Sequence, residues 1–97
     1  MTPAYFDHNA TTRVDDAVFE AMLPYFQQEY GNASSRHAAG ITARRAIDRA
    51  REQVAASVGV QPVQVIFTSG ATSAIHLVRQ GLKGLKRVAV TMMEHHS

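Results

Sequence analysis

Apolar residues at Val18, Met22, Leu23 and Phe26 recur near a 3.6-residue period, so one face of a helix is apolar. The pattern predicts a helix over about 16–29, capped by Asp15 or Asp16 and ended by Gly31. Pro24 falls inside it, and its missing N–H and its ring predict a kink or an early interruption. A longer stripe, Ala43, Ala46, Ile47, Ala50, Val54 and Val58, predicts a second helix over roughly 38–58 with Gly59 just past its end. Alanine dominates that stripe, so this helix should pack closely on its neighbour. A β-like run, Val63 to Phe67, predicts a strand; a helix over about 71–83 and a second strand from Arg87 to Met92 follow. Strand, helix, strand in that order argues for a parallel pair joined by a right-handed crossover, and the fold class is α/β.

The connections carry most of the small polar residues. Ala4-Tyr5-Phe6 reads as a short extended piece entering Asp7-His8-Asn9-Ala10-Thr11-Thr12, a composition that favours turns closed by side chain–backbone hydrogen bonds. Asn32-Ala33-Ser34-Ser35 links the first two helices. No internal repeat or low-complexity tract interrupts this order. Parallel sheets are normally covered on both faces and have several strands, whereas only two good strands are visible here. Glu94-His95-His96-Ser97 reads as a loop leaving the carboxyl edge of the sheet, where ligands of open α/β folds bind. The expectation is a chain cut off as it reaches its own site.

Composition narrows the function classes. At 97 residues, 45% hydrophobic and 19% charged, the chain reads as one small globular domain or a piece of a larger one. The net charge is only +2, and Arg44, Arg45, Arg49 and Arg51 share a predicted helix with Asp48 and Glu52. That mixture reads as a solvated face and argues against a nucleic-acid partner. With no cysteine, disulfides, thiolate metal sites and a thiol nucleophile are excluded within these residues. No charged leader and no apolar run near ~20 residues appears, so no membrane association and a cytoplasmic location are expected.

The candidate chemistry lies in Phe67-Thr68-Ser69-Gly70-Ala71-Thr72, a strand end delivering a hydroxyl-rich loop to a helix N-terminus. The first N–H groups of a helix, with the positive end of its dipole, suit an anion such as a phosphate. The same residues also read as plain capping by Thr68 or Ser69, with Gly70 for the turn. The P-loop pattern and its lysine are missing. Taken alone, the loop leaves both readings open, with capping ahead. No metal site is expected: His95 and His96 are adjacent and point opposite ways in an extended segment, and Glu94 with His96 gives only two ligands. His8 and His37 read as solvated or hydrogen-bonded loop residues, and His76 as a surface or interface residue of the following helix.

Four segments together tip the balance. Tyr5-Phe6-Asp7-His8-Asn9-Ala10-Thr11-Thr12, Gly31-Asn32-Ala33-Ser34-Ser35-Arg36-His37, Phe67-Thr68-Ser69-Gly70-Ala71-Thr72 and Glu94-His95-His96-Ser97, in this order and spacing, closely resemble the opening segment of the cysteine desulfurases of the NifS/IscS type. These are pyridoxal-phosphate enzymes of the class V aminotransferase family, and the resemblance spans nearly the whole chain. It implies an incomplete PLP-transferase domain of fold type I across residues 1–97, with 1–37 as N-terminal arm and first helix and 38–97 as the start of the large cofactor-binding domain. It implies that Ala71 and Thr72 hold the phosphate of pyridoxal 5'-phosphate and that His95 stacks on its ring. A flat imidazole covers an apolar ring face, and a side chain titrating near neutrality can also move protons. The Asp7–Thr12 and Gly31–His37 segments correspond to loops near the substrate entrance and the dimer interface, with no individual catalytic role assigned.

The departures from the family pattern matter as much. After Gly70-Ala71-Thr72 the family usually carries Glu-Ser, where this chain has Ser73-Ala74-Ile75-His76. Ala33 stands in place of the usual proline, which raises the freedom of that loop in the unfolded chain. The resemblance places the Schiff-base lysine, the aspartate on the pyridine nitrogen and the persulfide-forming cysteine far downstream. Lys83 and Lys86 fall at the end of the third helix and in the next turn, where solvated charges complement the helix dipole. The parent enzyme is expected to convert L-cysteine to L-alanine and an enzyme persulfide, for iron–sulfur cluster assembly or other sulfur transfer. Its expected partners are sulfur-acceptor proteins and a second copy of itself. The 97 residues alone are expected to be inactive. The alternative is a non-catalytic interaction or oligomerisation module derived from such an enzyme, its exposed strand edges favouring self-association.

Overall fold

The computed structural model describes residues 3–87 and 89, and the order of elements is three α-helices with one 3-10 turn. Helix α1, Asp16–Gln27, starts where Asp15 accepts the N–H of Ala17 at 2.9 Å, so the expected cap is in place. Arg13 forms an ion pair with Asp16 beside that cap. The helix is not interrupted at Pro24: it runs three residues further, and the Pro24 carbonyl accepts from both Gln28 and Glu29 at 2.8 Å. Pro24 has no N–H to give the Glu20 carbonyl, so one interior bond is lost, and the bonds from Gln28 and Glu29 to Pro24 close the turn that follows.

Helix α2, Ala38–Val58, has the bounds the apolar period predicts. It stops because Gly59 takes a left-handed conformation, φ 71°, returning its N–H to Ala55 and Ala56. Its start is tied down by the Gly31–Ser35 connection. Asn32 folds this segment into a turn, its Oδ1 accepting from Ser34 N–H and its carbonyl from Ser35 N–H, both at 2.9 Å. The turn then lies directly on Gly40, which is buried. A Cβ there would fall 2.5 Å from the Ser35 carbonyl oxygen and 2.6 Å from that of Asn32. One turn further along, Arg44 Nε donates to the Ala33 carbonyl at 2.9 Å.

At the far end, the 3-10 turn Pro62–Gln64 folds back on α2, the one pair of elements in extensive contact among the described residues. Gln64 closes this turn, its N–H donating to the Gln61 carbonyl and its side chain accepting from Gln61 N–H, each at 2.9 Å. The turn occupies Val63 and Gln64, where the apolar run had predicted the start of a strand. Val65 beyond it is extended, φ −95° and ψ 123°, yet among the described residues no strand ladder forms. A strand is stabilised by its neighbour, and the expected partner, Arg87 to Met92, lies mostly outside the described residues. Helix α3, Ala71–Gly81, follows and ends two residues earlier than its pattern suggested.

The apolar faces are present but largely uncovered. Among the described residues, Ala43 and Ala55 are the buried hydrophobic ones, Ala46 and Ala50 are half-buried, and Ile47, Val54 and Val58 of the expected stripe are exposed. In α1, Val18, Met22 and Phe26 are exposed as well. The two helices flank an open apolar groove of ≈ 770 Å³ whose lining includes Tyr25, Tyr30, Ala43, Ala46, Ile47 and Ala50. The surface area is 9306 Å², whereas a compact monomer of this mass exposes about 5,500 Å². The radius of gyration is 18.0 Å, against about 12.5 Å for a compact domain of this length.

The contact at Gly40 makes the first prediction. Gly40→Ala sets a methyl against two backbone carbonyls that cannot turn aside, and should destabilise the chain by about 1–3 kcal/mol, read as a lower urea midpoint. Gly59→Ala, with nothing within 4 Å of its Cβ, meets only the left-handed backbone penalty and should cost about 1–2 kcal/mol.

Candidate functional site

The site is built from the backbone upward at the junction of residues 65–70 with α3. Gly70 is the N-cap of α3, in extended backbone, and as a glycine it brings no side chain to the cap. The N-cap position is thus one or two residues beyond Ser69 and Thr68, the residues the plainer reading of the loop put there. Thr68 Oγ1 instead donates to the Gly70 carbonyl at 3.0 Å, and the Ser69 and Ser73 hydroxyls bond one another at 2.9 Å. The Gly70 carbonyl also accepts the N–H of Ala74 at 3.1 Å, the first regular helical bond. A Cβ at Gly70 would meet nothing within 4 Å, so the approach to this end of the helix is open.

Ala71 and Thr72 are the first two residues of α3, and both are exposed. Their position in the first turn places main-chain N–H groups and a hydroxyl at the positive end of the helix dipole. That donor set suits a phosphate. His95, the third expected cofactor residue, and the Glu94-His95-His96-Ser97 motif lie outside the described residues. His76 is exposed on α3, where it borders a hollow of ≈ 370 Å³ with Arg79, Gln80 and Lys83.

The other two polar segments are organised locally. In the first, the Asp7 carbonyl is the hub, accepting from Ala10 N–H at 3.1 Å, Thr11 N–H at 3.3 Å and the Tyr5 hydroxyl at 3.0 Å. The same hydroxyl lies 2.6 Å from Thr11 Oγ1, and the Tyr5 ring meets His8 edge-on at 5.2 Å. The Gly31–Ser35 segment spends its hydrogen bonds on itself and on α2, as described above. Both segments are therefore shaped by short-range bonds, as a sequence rich in Asp, Asn, Ser and Thr predicts.

Two arginines of the face expected to be solvated make contacts outside their own helix, Arg44 while exposed and Arg51 while half-buried. Arg44 clasps the Gly31–Ser35 connection. Arg51 pairs with Asp48 at 2.7 Å and lies over the Phe67 ring, 5.4 Å from its centroid. The i, i+3 spacing of Asp48 and Arg51 was visible as a helix-face pair; nothing in the spacing showed that Phe67 would come to rest beneath it. Among the described residues, no group of three or more His, Cys, Asp or Glu is placed to hold a metal ion, and no helix is long and apolar enough to cross a membrane.

With this geometry in hand, the comparison with known proteins is decisive. The sequence matches aminotransferase class-V over residues 4–97. The chain belongs to that family. It is 45% identical over 96 residues to a cysteine desulfurase of Frankia sp. (strain EuIK1), covering 94% of this chain and 23% of the relative. It is 50% identical over 80 residues to the cysteine desulfurase IscS of Anaeromyxobacter sp. (strain K), covering 81% of the chain and 20% of the relative. A mitosomal cysteine desulfurase of Trachipleistophora hominis is 44% identical over 104 residues, with 97% and 24% covered. Among solved structures, a NifS-like protein superposes with a TM-score of 0.81 at 41% identity, over 89% of this chain and 24% of its own. The described residues thus share the fold of the matching part of that protein. The chain spans about a quarter or less of the length of these relatives.

The Tyr5 hydroxyl bridges two groups of the first polar turn. Tyr5→Phe should speed amide exchange at residues 10 and 11 while leaving α2 unchanged, the cost being about 1 kcal/mol for a lost hydrogen bond.

Proposed function

We propose that this chain is the cofactor-phosphate-facing segment of a pyridoxal-phosphate-dependent cysteine desulfurase, and that Ala71 and Thr72 supply donors to the phosphate. The observation that carries the reading is the first turn of α3: its N-cap is a glycine with open space around it, and it occurs in a chain of the aminotransferase class-V family whose relatives are named cysteine desulfurases. Pyridoxal phosphate, when bound, supplies an electron sink for breaking bonds at the amino-acid carbon. The residues of this chain bind and orient: the Ala71 and Thr72 main chain with the Thr72 hydroxyl take the dianionic phosphate, and His95 covers the ring face. L-cysteine is the substrate of the whole enzyme in this reading, and sulfur leaves as a persulfide on a cysteine that these 97 residues do not contain. The longer product works as a homodimer in the cytoplasm and hands sulfur to acceptor proteins.

The expected strand–helix–strand unit belongs to the same reading. In it α3 is the crossover helix, and the second expected strand, Arg87 to Met92, lies mostly outside the described residues.

Supplied with pyridoxal phosphate and L-cysteine, the 97-residue chain should release no sulfide. With dithiothreitol added to reduce the enzyme persulfide, the product of a longer reading frame carrying a downstream lysine and cysteine should release sulfide and alanine in equal amounts. In that longer protein, Thr72→Val should weaken pyridoxal-phosphate binding roughly tenfold or more, the scale of one hydrogen bond to a charged group. Sulfide released by the chain alone, or unchanged cofactor affinity in T72V, would overturn the reading.

A second reading is favoured by one observation, the surface of 9306 Å² with Ile47, Val54, Val58 and Phe26 exposed. Here the chain is a non-catalytic module that associates with copies of itself or with a longer relative through the apolar faces of α1 and α2. Sedimentation of the chain alone at micromolar concentration decides it, since a dispersed monomer would exclude self-association.

A further inference from the structure

The segment 65–70 that feeds α3 lies beyond the 3-10 turn, with Ile66 and Phe67 both exposed. What locates the start of α3 relative to α2 is therefore a question of single contacts. Arg51 provides one. Its Nη1 donates to Asp48 Oδ1 at 2.7 Å, and its Cζ stands 5.4 Å from the centroid of the Phe67 ring. The Arg51 side chain is only 30% exposed, compared with 57% for Asp48. A partly dehydrated guanidinium is held more firmly by an aromatic face than a fully solvated one. The planar group can bond a carboxylate along its edge while presenting a face to the ring, which an ammonium cannot reproduce.

Phe67 immediately precedes Thr68, whose hydroxyl braces the Gly70 carbonyl at 3.0 Å. Gly70 in turn caps α3. A continuous series of contacts therefore runs from Asp48 through Arg51 and Phe67 to Thr68 and Gly70, ending at Ala71 and Thr72. We infer that Arg51 is a positioning residue: clamped by Asp48 and stacked on Phe67, it fixes the 65–70 segment against α2 and so sets where the first turn of α3 presents its donors. The mechanical part of this inference stands on the contacts alone. Its link to a phosphate rests on the proposed function above.

The experiment is hydrogen exchange of the full 97-residue chain, resolved at Val65 and Ala74, the hydrogen-bonded amides that flank the segment, with the amides of 45–55 in α2 as internal reference. Arg51→Gln and Phe67→Leu should each speed exchange at Val65 and Ala74 by about two- to fivefold, the range for one partly exposed cation–π contact. The double variant should go no further than the more severe single one, because both remove the same contact. Arg51→Lys should remain faster than the parent, since charge alone does not make the clamp. The inference is overturned if the two effects multiply in the double variant, if R51K matches the parent, if R51Q leaves both amides unchanged, or if both already exchange at the free-peptide rate in the parent. A second arm adds pyridoxal phosphate. Slowed exchange at 71–73 in the parent, weakened by R51Q and by Thr72→Val, ties the clamp to the phosphate. If the cofactor protects nothing in the parent, the phosphate reading of this turn fails, and the clamp is still judged by the first arm.

Discussion

The long helix α2 is the surface on which the Gly31–Ser35 turn, the 3-10 turn and the segment before α3 are held, and its usefulness depends on where it has no side chain. At Gly40 the backbone of the helix comes so close to the carbonyl groups of Asn32 and Ser35 that a single methyl would not fit. That approach seats the Gly31–Ser35 turn on the helix start, with Arg44 reaching back to hold it. At the other end Gly59 reverses the chain, and the 3-10 turn packs against the helix it has just left. Between the two ends, Arg51 takes hold of Phe67 and thereby of the segment leading to α3. A helix of 21 residues is about 30 Å long, so these attachments spread three otherwise independent turns along a rigid rod.

The same scaffold leaves the apolar faces of α1 and α2 open. About 3,800 Å² more surface is exposed than a compact monomer of this mass would show, and the groove between the two helices is lined by tyrosine, alanine and isoleucine. Amphipathic helices form because their apolar stripes are meant to be buried, and helical propensity contributes little beyond that. Faces of this extent match a chain that spans only a quarter or less of its relatives' length. The alanine-rich stripe on α2 permits a close approach by whatever covers it, since small side chains let two backbones come near.

Helices and polar turns were legible from sequence for local reasons. The bounds of α2 follow from its apolar period and from Gly59, and the α1 cap follows from Asp15 next to an apolar stripe. The Asp7–Thr12 and Gly31–Ser35 turns follow from side chains that bond their own backbone. The strand at Val63 was less legible, because alternation and β-branching describe a residue that suits a sheet without providing one. Pro62 fixed the local backbone into a 3-10 turn instead. At the candidate site, sequence suggested Thr68 or Ser69 as a cap, while the observed hydroxyls brace the loop internally.

What the sequence determined by itself was therefore whatever depends on neighbours within about four residues: helix periods, caps, the left-handed stop at Gly59, the hydroxyl-rich loop ahead of Ala71, and a motif order specific enough to identify the family. Tertiary structure alone decided which glycine is pressed against another backbone, which arginines reach beyond their own helix, and that Phe67 lies beneath Arg51. Those outcomes join residues 11 to 16 positions apart or cross from one element to the next. No local period encodes them, because each depends on where the chain returns after a turn.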